Sequence, residues 1–185
     1  MFALVLTTGC TTKLKYSTGR PNGLNISMPS AGKSKVVFIR PNPLYNDFMF
    51  IVHDEAPVIG VLPYYCFFEY ECAPGRHRFS ATVEDEMKVL EAELLPDRIY
   101  YAKVSARYGF GSPGVNMYSL YPGCPGELWP QMSKMLGELK EAIVDPAEVE
   151  KRRQVEPAYL KQLQDYRPGE NPERILPEHG QTKPF

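Results

Sequence analysis

The sequence predicts a mostly β fold: an antiparallel β-sandwich of about 7–8 strands with a C-terminal helical extension. Between residues 35 and 121, short β-branched and aromatic runs recur about every 8–12 residues, with Pro, Gly and Asn between them. Several of these runs alternate apolar and polar residues, as strands with one dry and one wet face do. After Tyr121 the apolar period lengthens to that of a helix.

The chain has 185 residues and carries a net charge of −1, which argues against a general nucleic-acid binder. Its charge is uneven. Residues 1–46 hold no acid but contain Lys13, Lys15, Arg20, Lys33, Lys35 and Arg40. No window approaches the roughly 20 apolar residues of a membrane-spanning helix.

Residues 1–10, "MFALVLTTGC", end in small residues directly before Cys10. The apolar run from Phe2 to Leu6 is too short for a whole secretion signal. It resembles the end of a bacterial lipoprotein signal, the lipobox, with Thr7 where a leucine is usual. That resemblance implies a start upstream of Met1 and a lipid on Cys10; the alternative is a buried or free cysteine near a frayed end. Residues 11–34 are rich in Thr, Ser, Gly, Asn and Pro and read as a flexible tether. Such a segment would span roughly 25–30 Å, and its basic residues favour an anionic surface.

The predicted strands come in this order: "KVVFIR", "DFMFIVH", "PVIGVL", "YYCFFEYEC", "RHRFSATVE", "MKVLEAELL", "RIYYAKVSARY" and "VNMYSLY". Cys66, Phe68, Tyr70 and Cys72 share one face, and so do His77, Phe79, Ala81 and Val83. A hairpin across Pro74-Gly75 sets Cys72 opposite His77 and Glu71 opposite Arg78, with the second pair an exposed ion pair worth at most about 1 kcal/mol. A cysteine beside a histidine can be a nucleophile with its base. No third orienting group is evident, however, and core packing is the favoured role.

"VVFIRP", "HDEAPVIG", "YECAPGRHRFSA" and "RIYYAKVSARYGFG" together resemble a family of uncharacterised bacterial lipoproteins. Their single domain is similar to the PEGA and prealbumin-like sandwiches. The resemblance covers roughly residues 35–121, and its most specific element is the proline-glycine turn before Arg76 and His77. It implies a non-enzymatic module of the cell envelope, anchored by its lipid, at the periplasmic face of the outer membrane. It brings no catalytic residue, cofactor or metal. The departures are Cys66, Cys72 and the long C-terminus.

Cys66 and Cys72 lie about 20 Å apart along one strand, too far for the roughly 7 Å limit of a disulfide. Cys124, in "YPGCPG", is the partner expected for Cys72; unpaired core cysteines are the alternative. "GFGSPG" (109–114) has dinucleotide-loop spacing, but a strand rather than a helix comes after it, so it reads as a hairpin loop. His53, His77 and His179 are scattered without metal-ligand spacing. His53-Asp54-Glu55 reads as a solvated turn. Tyr64, Tyr65, Tyr100, Tyr101, Tyr108, Tyr118 and Tyr121 suit either half-wet sheet faces or sugar stacking.

Residues 125–166 read as amphipathic helices. Leu128, Met132, Met135, Leu136, Leu139 and Ile143 form one stripe, and Asp145-Pro146-Ala147-Glu148 gives a second start. Pro157 should end or kink that helix, and Tyr159, Leu160, Leu163 and Tyr166 form a last helical piece. Residues 167–185 are Pro-rich, charged and expected to be disordered. The function expected is a structural or interaction module that binds another envelope component. A glycan or peptidoglycan binder is the alternative, and a soluble enzyme the least favoured.

Overall fold

The computed structural model describes residues 16–21, 25–41, 48–84, 86–108, 113–125, 129–144, 147, 149, 157–167 and 173–184. Cys10, Leu128, Asp145, Pro146 and Glu148 lie outside the described residues.

The strands are β1 (Tyr16–Pro21), β2 (Ser34–Arg40), β3 (Phe50–Asp54), β4 (Val58–Leu62), β5 (Cys66–Cys72), β6 (Gly75–Val83), β7 (Glu86–Leu94), β8 (Arg98–Tyr108), β9 (Pro113–Leu120), β10 (Lys140–Val144) and β11 (Arg174–Ile175). Helix α1 spans Met132–Glu138 and α2 spans Pro157–Asp165. A six-stranded sheet runs β1-β10-β5-β2-β8-β9, and a five-stranded sheet runs β11-β7-β6-β3-β4.

The fold is mostly β, as expected, but both sheets are mixed rather than antiparallel. β10 runs parallel to β5, β2 to β8, and β11 to β7. The strands that break the pattern come from segments expected to be something else. β1 lies in the segment read as a tether, and pairs antiparallel with β10. β10 replaces the last turn of the expected first helix: the backbone turns extended at Leu139, and Ile143 is 49% exposed. Residues 140–143 thus join sheet edges left open by β5 and β1. β11 lies in the expected disordered tail, where Ile175 is 1% exposed and plugs the core between the sheets. A single 3₁₀ turn, Pro177–His179, and a bridge from Gln181 to Ile99 tie down the chain beyond β11.

The Pro74-Gly75 hairpin is also absent. β5 pairs with β2, while β6 pairs with β3 and β7, so the turn carries the chain from one sheet to the other. Gly75 has φ +123°, a conformation that side chains resist, and it permits this corner. The inward parity survives the change of partner. Phe68 of β5 stacks on Phe38 at 5.0 Å, and Phe79 of β6 meets the same ring edge-on at 5.3 Å. The hairpins observed are β3–β4, β6–β7, from Gly75↔Leu94 to Val83↔Glu86, and β8–β9, whose connection runs into "GFGSPG". Strand β9 starts at Pro113, so that loop leads into a strand and not a helix.

One core lies between the sheets, around Phe38, Phe50, Phe79, Leu90 and Tyr100. A second lies on the outer face of the six-stranded sheet, where Met132 and Leu136 of α1 cover Val37, Ile39, Phe67 and Tyr101. Ile26, also from the expected tether, is buried in it. On the opposite outer face, Tyr159 of α2 bonds Ser80 of β6 at 2.8 Å and stacks on His53 of β3. Pro157 is the first residue of α2, a position its missing N–H suits, and the segment before it, 150–156, lies outside the described residues.

Candidate functional site

A polar cluster of Asp54, Tyr70 and His77 sits at one end of the core between the sheets. Phe50, Val52 and Asp54 alternate inward along β3, which brings Asp54 to the buried side at the strand's end. There its carboxylate accepts a hydrogen bond from the Tyr70 hydroxyl at 2.9 Å and from His77 Nδ1 at 2.9 and 3.1 Å. His77 Nε2 donates to the Ala73 carbonyl at 2.8 Å, and its ring lies parallel to that of Phe79 at 5.4 Å.

The Asp54 carboxylate, joined by a hydrogen bond to Cys72 and the Ala73 carbonyl, pushes the His77 pKa up to about 10 against the opposing effect of burial. Burial and the neighbouring Asp54 charge push the Tyr70 hydroxyl up as well. Cys72 and His77 are therefore neighbours, as the sequence suggests, though not through strand pairing. Asp54 is the third group the sequence reading missed, because His53-Asp54-Glu55 reads as a solvated turn. The alternation Phe50, Val52, Asp54 was the available signal.

The cluster's chemistry is limited by its bonding. Both His77 nitrogens donate, so the ring is a fixed imidazolium with no lone pair to take a proton from Cys72. A groove of about 390 Å³ opens beside it, lined by His77 together with Arg76, Arg78, Glu91 and Arg174. Its charges offset one another: Arg174 meets Glu91 at 3.3 Å, and Arg78 meets Glu55 at 3.9 Å. The expected Glu71–Arg78 pair is not formed. Glu71 accepts the Ser30 N–H at 2.9 Å instead.

The other histidines hold structure. His53 is buried against Tyr159 with ring centroids 3.7 Å apart, and burial lowers its pKa to about 4. It belongs to the core under α2, not to a solvated turn. His179 stacks on Tyr121 at 3.6 Å, and its Nδ1 accepts the Leu176 N–H at 3.1 Å and lies 3.0 Å from Ser119 Oγ. Among the described residues, no group of His, Cys, Asp and Glu is placed to hold a metal ion.

Cys66, Cys72 and Cys124 are free, buried thiols. The expected Cys72–Cys124 disulfide is not formed, because Cys72 faces the core between the sheets and Cys124 the cluster on the outer face. Of the candidate sugar-stacking tyrosines, Tyr100 and Tyr101 are fully buried. Tyr118 lies beneath Lys103, and the Tyr108 side chain is outside the described residues. Tyr64 and Tyr65 remain exposed, at 41% and 39%. No described helix is long and apolar enough to cross a membrane.

Comparison of the chain with protein-family models, curated proteins and solved structures finds no match.

Proposed function

We propose that this chain is a bacterial envelope lipoprotein: a PEGA-like β-sandwich, anchored by a lipid on Cys10, that works as a non-enzymatic interaction module. The single observation that supports the non-enzymatic part is the burial of Cys72 in the core between the sheets, where a substrate has no access to the thiol. The one Cys–His–Asp constellation among the described residues has its ring nitrogens committed to Asp54 and Ala73. It holds β3, β5 and β6 together and offers Cys72 no base.

The anchor rests on "TTGC" and on the acid-free, basic residues around it. Because β1 starts at Tyr16, only five residues separate it from Cys10, a reach of at most about 17 Å. The domain then rides close to the periplasmic face of the outer membrane. Fatty-acid labelling of the gene product, expressed with its upstream region, tests the anchor. Label on the wild type that is lost in Cys10→Ser supports it. Equal labelling of both, or labelling of neither, overturns it.

A further inference from the structure

We infer that the C-terminal strap, residues 173–181, is an acid-released latch. It closes one side of the sandwich while the His179 ring is neutral and lets go once that ring takes up a proton. The inference goes beyond the proposed function and does not depend on the lipid at Cys10.

The strap ties the two sheets together. Its first part, β11, pairs with β7 of the five-stranded sheet, where the Glu91 N–H donates to the Glu173 carbonyl at 3.2 Å. Its last part reaches the six-stranded sheet, where Ile99 and Gln181 exchange backbone hydrogen bonds of 3.0 and 2.8 Å. Between these points Ile175 enters the core, and Gly180 passes so close to the Tyr100 ring that a Cβ would lie 2.7 Å from it. β11 is only two residues long and the far end is a single bridge. The turn between them, Pro177–His179, sets the angle that lets both attachments form.

That turn is closed by a reciprocal pair. The Leu176 N–H donates to His179 Nδ1 at 3.1 Å, and the His179 N–H donates to the Leu176 carbonyl at 3.0 Å. A backbone N–H can only donate, so Nδ1 carries a lone pair and the ring proton sits on Nε2. Ser119 Oγ, 3.0 Å from Nδ1, can serve either form of the ring, but the Leu176 N–H cannot. A proton on Nδ1 sets two donors against each other and leaves the Leu176 N–H without its acceptor. The stack on Tyr121 needs no particular charge on the ring, so the bond to Leu176 is the point that gives way.

The surroundings discourage the cation. Burial opposes protonation of the attached ring more strongly than Glu178, on the same turn, favours it. Ser119 and Tyr121 face the ring from β9 and its end, and the Tyr100 hydroxyl of β8 donates to the Pro177 carbonyl at 3.4 Å. Tyr118, Cys124, Glu173 and Arg174 line the same recess of about 510 Å³, and Arg174 is paired with Glu91. The freed ring therefore binds a proton more tightly than the attached one. Attachment is at full strength above about pH 6.5 and weakens as pH falls below it.

The test follows hydrogen exchange in the full chain from pH 7 to pH 5, corrected for the intrinsic pH dependence of exchange, beside an NMR titration of the histidine rings. Protection of the Ile99 and Gln181 amides should fall at least threefold, with a midpoint that matches the His179 ring. Amides of the β6–β7 hairpin should stay protected. The fall should vanish in His179→Asn, whose side-chain oxygen can replace Nδ1 without titrating, and in His179→Phe, which keeps a ring on Tyr121. Constant strap protection, a midpoint that follows the His53 ring instead, or a fall shared with the β6–β7 hairpin overturns the inference. A fall that persists in either variant overturns it as well.

Discussion

His77 and Asp54 form a two-point contact: Nδ1 lies 2.9 and 3.1 Å from the two carboxylate oxygens, and the pair keeps only 14% and 11% of its side-chain surface exposed. Removing one partner leaves the other charge poorly solvated. Asp54→Asn should destabilise the fold by about 2–3 kcal/mol, near the low end for a broken buried pair because some solvent remains. Urea unfolding at neutral pH measures it.

The same contact fixes a pH dependence. Folding raises the His77 pKa from 6.5 to about 10. The folded state therefore binds the proton more tightly, and the stabilisation is fully present below pH 6.5 and declines as pH rises toward about 10. His77→Gln should be less stable and should lose this alkaline slope. Melting temperatures of both proteins at intervals from pH 6 to 10 check it.

His53 acts in the opposite sense. Its folded pKa is lowered to about 4 by burial against Tyr159, so the unfolded chain binds protons more readily between there and 6.5. Its contribution is present above pH 6.5 and is lost as pH falls toward 4. His53→Phe keeps a ring on Tyr159 and should flatten the acid limb of the stability curve. Thermal melts at pH 4, 5 and 6.5 decide the point.

Gly60 of β4 leaves no room for a methyl group. A Cβ there would lie 2.6 Å from the ring of Phe68, which is itself stacked on Phe38. Gly60→Ala should cost about 1–3 kcal/mol by overpacking, and Phe68→Leu in the same chain should recover part of it. A four-member set of chemical denaturation curves shows whether the two changes are coupled.

Ile175 belongs to a segment whose composition suggests disorder, yet it is buried between the sheets. Ile175→Ala should destabilise by about 2–4 kcal/mol, against a few tenths for a change at a solvated tail. Limited proteolysis of the variant should release the segment after Arg167 well before the wild type does.

How far the sequence could be read is clear from these same residues. Parity within a strand was legible: Phe68, Tyr70, Phe79 and Ala81 all face inward, as their alternation requires. The choice of partner was not. "ECAPGR" satisfies a hairpin and a corner between sheets equally, because both keep Cys72 and His77 on the dry side. Short joining strands were lost for another reason. β1, β10 and β11 are only six, five and two residues long and gain their order from edges supplied elsewhere, by β10, β5 and β7, so local propensity carries little trace of them. In the candidate cluster, His77 and Cys72 were visible from the turn beside them, whereas Asp54 comes from a third strand, β3, whose pairing with β6 the sequence did not reveal.

The parallel pairing of β2 with β8 has a kinetic consequence. Ser34 aligns with Arg98, a separation of 64 residues, and Tyr16 aligns with Val144, 128 residues on. A nascent chain cannot close the larger sheet until nearly all of it has emerged, which puts the protein among slow folders dominated by long-range contacts. A polypeptide built this way keeps its early strands without their final partners until the late ones are made, so truncation near residue 140 removes the mate of β1 rather than a dispensable end.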